Sequence, residues 1–260
     1  MSYIDLTPAL RDWPHDPEKI SVRKILGIDG QVRIQMRVEL GIAQMEAEGR
    51  PDGSRPHGCV SLLDHHRARL AHFQQGNGTS LGFALSAEEC QELRIEASMY
   101  YRRYVAYYVL EEFQPVIRDT AHNLAIIDFC REHAMEVEDR AALEEFRPYV
   151  LMMHSRGLAY QALADGEAAS ALAHVNRGVL MIRAYLDDRG LLDVAESCEE
   201  IKILRSLGRE LNGKVPQNSV LITHKALQAA IDQERFEEAA HLRDAMRKLT
   251  QPRTEVHRPG

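Results

Sequence analysis

At 260 residues and 45% hydrophobic, the chain is long enough for one large or two small domains with a proper core. Its net charge of −7 argues against wholesale binding to nucleic-acid backbones, whose partners carry a basic face, and leaves room only for a local basic patch. Cys59, Cys90, Cys130 and Cys198 are widely spaced with no C-x-x-C pair, which predicts reduced thiols and excludes a zinc ribbon or a disulfide framework.

The opening M-S-Y-I-D-L-T lacks a basic segment followed by an apolar run, and no stretch reaches the ~18 apolar residues of a membrane span, so the expected location is the cytoplasm. Residues 1–18 read as an extended arm with a single helical turn, anchored by Trp13. From Ile20 the period becomes that of a strand. Val22, Lys24 and Leu26 alternate with Ser21, Arg23 and Ile25, then Asp29-Gly30 supplies a type I′ turn, and Val32 to Leu40 alternate again. A two-stranded ribbon is marginal alone, so this β-hairpin is expected to lie on helices.

The stretch from Leu40 to Pro56 packs Gly49, Gly53, Pro51 and Pro56 around Arg50, Asp52 and Arg55, which predicts a shaped loop and not a flexible linker. Two readings stay open. Gln44, Glu46, Arg50, Asp52 and Arg55 line a pocket for an anionic ligand or a peptide carboxylate, since arginine offers a bidentate fork. Alternatively the loop only turns the chain, with its Arg-Asp pairs tying it down.

Residues 57–213 read as a helical body. Leu62, Leu63, Leu70 and Phe73 mark a first helix, in which adjacent His65 and His66 point to different faces and form no metal site. Ser86 is an N-cap with Glu89 completing a capping box. The helix it opens contains M-Y-Y-R-R-Y-V-A-Y-Y. Tyr100, Tyr104, Tyr107 and Tyr108 fall on one face, which favours packing over stacking of single-stranded nucleic acid. Further helices are expected from Gln114 to Ala134, Arg140 to Leu163, Glu167 to Asp188 and Leu191 to Leu211, the last with Val194, Ile201, Leu204 and Leu207 buried. Gly157, Tyr160 and Ala169 sit at the mutual spacing of a small, an aromatic and a small position in a tetratricopeptide repeat. That resemblance is degenerate, because the turns lie well beyond that family's roughly 34-residue period.

Lys214 to Asn218 contains Pro216 and reads as a linker. Beyond it, Leu227 and Ile231 mark one short helix, and Phe236, Ala239, Ala240, Leu242, Met246 and Leu249 recur at helical spacing on a second. The core F-E-E-A-A-H-L-R-D, Phe236 to Asp244, resembles the UVR domain, a helical hairpin shared by the B and C subunits of the bacterial excinuclease. Such hairpins are protein contact elements that pair into small four-helix arrangements. The resemblance therefore implies a bacterial chain whose Phe236, Ala239, Ala240, Leu242 and Met246 touch a partner, with Arg243 and Asp244 fixing register at the seam. UVR hairpins also occur in Clp chaperone ATPases and arginine-kinase activators, so the pathway stays open between nucleotide excision repair and protein quality control. Physics points the same way, since a hairpin this small cannot offset its ordering entropy without docking on something.

No nucleophile elbow, phosphate loop, H-E-x-x-H or dinucleotide fingerprint occurs. Glu238-x-x-His241 and Asp119-x-x-His122 echo a di-iron helix motif but read as solvated faces or local ion pairs. The expectation is a mainly α protein, a TPR-like stack with an N-terminal β-hairpin, a UVR-like hairpin at 219–250 and a disordered tail at 251–260. It is expected to need no metal or cofactor and to act as a non-enzymatic adaptor that binds a UVR-containing partner or itself. The alternative is a ligand-sensing or catalytic body with its site at the Gln44–Arg55 loop.

Overall fold

The computed structural model describes residues 5–214. The expected UVR-like hairpin, with Phe236, Ala239, Ala240, Leu242, Arg243, Asp244 and Met246, lies outside the described residues, as does the tail. Contacts divide the chain into two units, Met1–Arg209 and Glu210–Gly260, and the first is the one described below.

The architecture is mainly helical with a small antiparallel sheet near the N-terminus. In order come Thr7–Leu10 (α1), strands Val22–Leu26 (β1), Val32–Val38 (β2) and Gly41–Glu46 (β3), then Leu62–Asn77 (α2), Ala87–Val109 (α3), Phe113–His133 (α4), Val137–Ala141 (α5), Arg147–Ala164 (α6), Ala168–Asp188 (α7) and Glu199–Lys214 (α8). Among the described residues no helix is long and apolar enough to cross a membrane.

The sheet corrects the expected hairpin in two ways. First, Gly41–Glu46 is a third strand and not the start of a loop, pairing with β2 from Val38↔Gly41 to Arg33↔Glu46. Its pattern was weak because Gly41 and Ala43 add little apolar signal on the face where Met45 is buried. Second, the β1–β2 turn is not type I′. Gly30 has φ 76° but Asp29 stays outside the left-handed region, and the Gly27 amide donates to the Gln31 carbonyl at 2.8 Å to close a longer connection. Ile34 and Met45, opposite one another, form the buried face of the sheet. On the other face Arg23, Gln35 and Gln44 are joined by side-chain hydrogen bonds, with the Arg23 guanidinium 4.1 Å from the Trp13 ring centre. Trp13 thus anchors the N-terminal arm to the sheet.

The capping box is present: Ser86 caps α3 while Glu89 reaches back to the Ser86 amide. Leu62, Leu63, Leu85, Leu93, Ile126, Ile127 and Phe129 gather between α2, α3 and α4 in one apolar cluster. Helices then pack in succession, α3 on α4, α4 on α6 and α6 on α7. Lying in the middle, α6 buries residues on every side, whereas α7 buries only the stripe Ala171, Val175, Gly178, Ile182 and Leu186. Ala169 is exposed, so the spacing that suggested a repeat does not fill its second small position in the core. Val194 is exposed as well. The expected helix from Leu191 begins only at Glu199, after a 3-10 turn at Leu192–Val194, while Ile201, Leu204 and Leu207 are buried as expected.

Candidate functional site

The chain leaves β3 through a loop whose ends are tied together, the Glu46 amide donating to the Pro51 carbonyl at 2.8 Å. Gly49 and Gly53 adopt φ of 66° and 74°, where a β-carbon is disfavoured, so these glycines make the bends possible. Its carbonyls are held by side chains from two helices. Arg103 Nη1 donates to the Glu46 carbonyl at 2.9 Å. The Tyr107 hydroxyl and Arg118 Nη2 donate to that of Ala47 at 2.9 and 3.1 Å, and the Tyr100 hydroxyl to that of Gly49 at 3.4 Å.

These holders are themselves fixed. Fully buried Asp119 accepts from Arg103 Nε and Nη2 at 2.7 and 2.9 Å, a bidentate pair, and from Arg118 Nε at 2.8 Å. Deeper still, Glu96 has no exposed surface and accepts from the Leu62 and Leu63 amides at 2.7 and 3.2 Å, which satisfies two orphan donors at the start of α2. His122 Nε2 sits 3.1 Å from Glu96, with the His122 ring stacked on Tyr100 at 3.8 Å. Burial alone would raise the Glu96 carboxyl, but His122 and the two amides hold it below its ordinary value. Arg50 Nε lies 3.0 Å from Glu96 Oε2 without the alignment of a hydrogen bond, so charge alone draws the loop down here.

The Tyr-Arg helix therefore does structural work. Tyr100, Tyr104 and Tyr107 are buried as the one-face pattern implied, with Tyr108 half-buried at the edge. Arg103 on the same helix is buried as well, because it carries the loop. Of the two readings given for Asp119 and His122, the local ion pair holds: buried Asp119 pairs with Arg103 and Arg118, and half-buried His122 sits beside Glu96. Neither joins a metal cluster, and among the described residues no group of three or more His, Cys, Asp or Glu could hold an ion.

Held this way, the loop forms one wall of a groove of about 770 Å³. The β1–β2 turn makes the facing wall, and Tyr107 and Pro115 the end nearest α3 and α4. Of the loop residues singled out in the sequence, Glu46, Arg50 and Arg55 line the groove. Asp52 instead accepts from the Ser54 amide at 3.0 Å and pairs with Arg50, and Gln44 accepts from Gln35 on the outer face of the sheet. The sequence reading missed the opposite wall: Lys24, Asp29, Gln31, Val32 and Arg33, together with Glu112. The only signal for Lys24 to Arg33 was proximity to the hairpin turn, Glu112 had none, and nothing local says which side of the turn meets the loop.

Most charges in the groove are committed. Lys24 binds Glu112 at 2.7 Å, Arg33 pairs with both Asp29 and Glu46, and Glu48 pairs with Arg118. Arg55 is exposed and has no acidic partner among the described residues. Among the described residues, both non-glycine residues with left-handed backbone flank the groove: His57 at φ 52°, between Arg55 and Val60, and Glu111 at φ 58°, next to Glu112. Such strain survives only where surrounding contacts enforce it.

Comparison with protein-family models, curated proteins and solved structures finds no match to this chain.

Proposed function

We propose that the chain is a non-enzymatic adaptor: a helical, TPR-like body that carries a UVR-like contact segment beyond it and recruits a UVR-containing protein or a second copy. The observation that supports the reading is that buried Glu96, Arg103 and Asp119, with half-buried His122, are spent on one another and on the loop. Groups committed in this way position the backbone as in a scaffold, and F-E-E-A-A-H-L-R-D at 236–244 is then the recognition element. By the same resemblance the partner belongs to excision repair or to protein quality control.

The test compares wild type with Phe236→Asp, purified from cells and examined for co-purifying proteins and for self-association by ultracentrifugation. A charge in an apolar seam should abolish docking without altering the body. Loss of a UVR-bearing partner, or of the dimer, in the variant supports the adaptor. Identical partner lists and identical mass would refute it.

A second reading is favoured by the groove itself. Its volume falls in the ordinary range of small-ligand sites, and Arg55 is a cation without an acidic partner among the described residues. In this reading the body senses a ligand at the 46–55 loop.

A further inference from the structure

The groove's charges specify what it can hold. Lining it are the cations Lys24, Arg33, Arg50 and Arg55 and the anions Asp29, Glu46, Glu48 and Glu112. Seven of these eight stand in ion pairs: Lys24 with Glu112, Arg33 with both Asp29 and Glu46, Arg50 with Asp52 and Glu96, and Glu48 with Arg118. Among the described residues Arg55 alone of the eight has no ion-pair partner. The other three cations being committed to carboxylates, Arg55 can meet a single negative charge, whereas a dianionic phosphate would carry a second, unmet charge into a groove with four carboxylates. A guanidinium also matches the geometry of a carboxylate, to which it donates two parallel hydrogen bonds.

The same groove exposes apolar surface. Val60 is 51% exposed and Val32 40%, and Pro115 lines the cavity with them. Aliphatic side chains left open beside an uncommitted arginine ask for a ligand that joins one carboxylate to one aliphatic group. At about 770 Å³ the space exceeds a single amino acid and suits several residues of extended chain. The Lys24–Glu112 pair, with side chains 43% and 34% exposed, is positioned to meet polar groups of that chain.

We infer that the groove binds the C-terminal end of a peptide chain, its terminal carboxylate on Arg55 and an aliphatic last side chain against Val32 and Val60. This rests on the second reading above and gives it a ligand class. The partner is recognised by its chain end, so this contact is separate from any made by the 236–244 segment.

The experiment measures fluorescence anisotropy of the full chain with N-terminally labelled hexapeptides, mixed in sequence and ending in Val, Leu or Ile. Each is made as the free acid and as the C-terminal amide, and isovalerate serves as a small-acid control in a thermal-shift assay. Arg55→Gln and Val60→Asp change exposed residues, and their unfolding temperatures report whether they fold like wild type. The expected result is binding of the free acids, weakened about tenfold or more by amidation and by Arg55→Gln, as for loss of one charge-assisted hydrogen-bonded contact. Equal binding of acid and amide, abolished by Val60→Asp, overturns the carboxylate class while the groove stands as a binding site. Stabilisation by isovalerate in wild type but not in Arg55→Gln, with no peptide bound, overturns the chain end in favour of a small acid. No response to any probe overturns the ligand reading of the groove together with this inference.

Discussion

Two regions of the body are held together by opposite means. Around the 46–55 loop, α3 and α4 are joined by the buried ions Arg103, Asp119 and Glu96, with half-buried His122 beside Glu96. Between α4, α6, α7 and α8 the seams are made by glycine. A β-carbon on Gly157 would lie 3.1 Å from Val116 Cγ1, and one on Gly178 would lie 3.0 Å from Leu204 Cδ1. Close backbone approach gains dispersion over many atoms and orients little. Buried ion pairs add little net stability but fix which carbonyl meets which donor. The loop, which makes no regular ladder beyond β3, needs that kind of positioning, and the helix stack does not.

The sharpest way to break this contrast is Asp119→Ala. It leaves the Arg103 guanidinium buried with only the Glu46 carbonyl to receive it and frees Arg118 from one contact. Breaking one partner of such a pair costs about 3–5 kcal/mol, a fall in unfolding temperature of roughly 6–20 °C for a body this size. The same variant should loosen the 46–55 loop, read as faster amide exchange at Gly49 and Arg50. A fall of under about 1 kcal/mol with unchanged exchange would mean that the tyrosine hydroxyls alone hold the loop.

That division also explains what the sequence disclosed. Apolar stripes at helical spacing, the Ser86–Glu89 box and the Asp165-Gly166 break announce themselves locally, and the structure carries all three, with Gly166 at φ 80°. Burial of Arg103 depends on Asp119, 16 residues away on another helix, and on a carbonyl at position 46. No local pattern distinguishes that arginine from exposed Arg102 beside it. For the same reason the loop wall of the groove was legible through its Gly and Pro, and the wall formed by Lys24, Arg33 and Glu112 was not.

A second test separates the two regions by pH. His66 is buried, its Nδ1 2.9 Å from Arg69 Nη1 and its Nε2 without a hydrogen-bond partner. Burial pushes it from 6.5 down to about 4. Above pH 6.5 it is neutral folded or unfolded and contributes no slope. As pH falls below 6.5 the unfolded chain gains a proton that the folded chain refuses, so stability drops, and the loss levels off near pH 4 at about 3 kcal/mol. Glu96 and Glu144, both lowered, act in a different window: their contribution is complete above the ordinary carboxylate value and fades only below it. Denaturant unfolding at pH 7.5 and 5.0 should therefore show a loss about 2 kcal/mol smaller in His66→Leu than in wild type. Equal losses would assign the slope to His65 or His154, which are shifted in the same direction.

The smallest effects belong to the glycine seams, where two terms of opposite sign compete. Replacing a helical glycine by alanine stabilises the helix by about 0.8–1 kcal/mol, and the new methyl must then find room. At Gly208 the nearest atom would be Val175 Cγ1 at 3.3 Å, the tip of a side chain, so the terms nearly cancel. At Gly157 both Val116 and Ile117 stand at 3.1 and 3.2 Å, and a modest net loss is expected. At Gly178 the methyl runs into the Ser155 hydroxyl and comes within 2.7 Å of Ser155 Cβ, close to the backbone of α6, which cannot swing aside as a side-chain tip can. Overpacking there costs about 1–3 kcal/mol and exceeds the helix gain. Chemical unfolding of the three variants should rank them Gly178→Ala, Gly157→Ala, Gly208→Ala from most to least destabilised. A stabilised Gly178→Ala would mean that α6 and α7 can slide apart without loss, and the stack would then owe its order to its apolar stripes rather than to close approach.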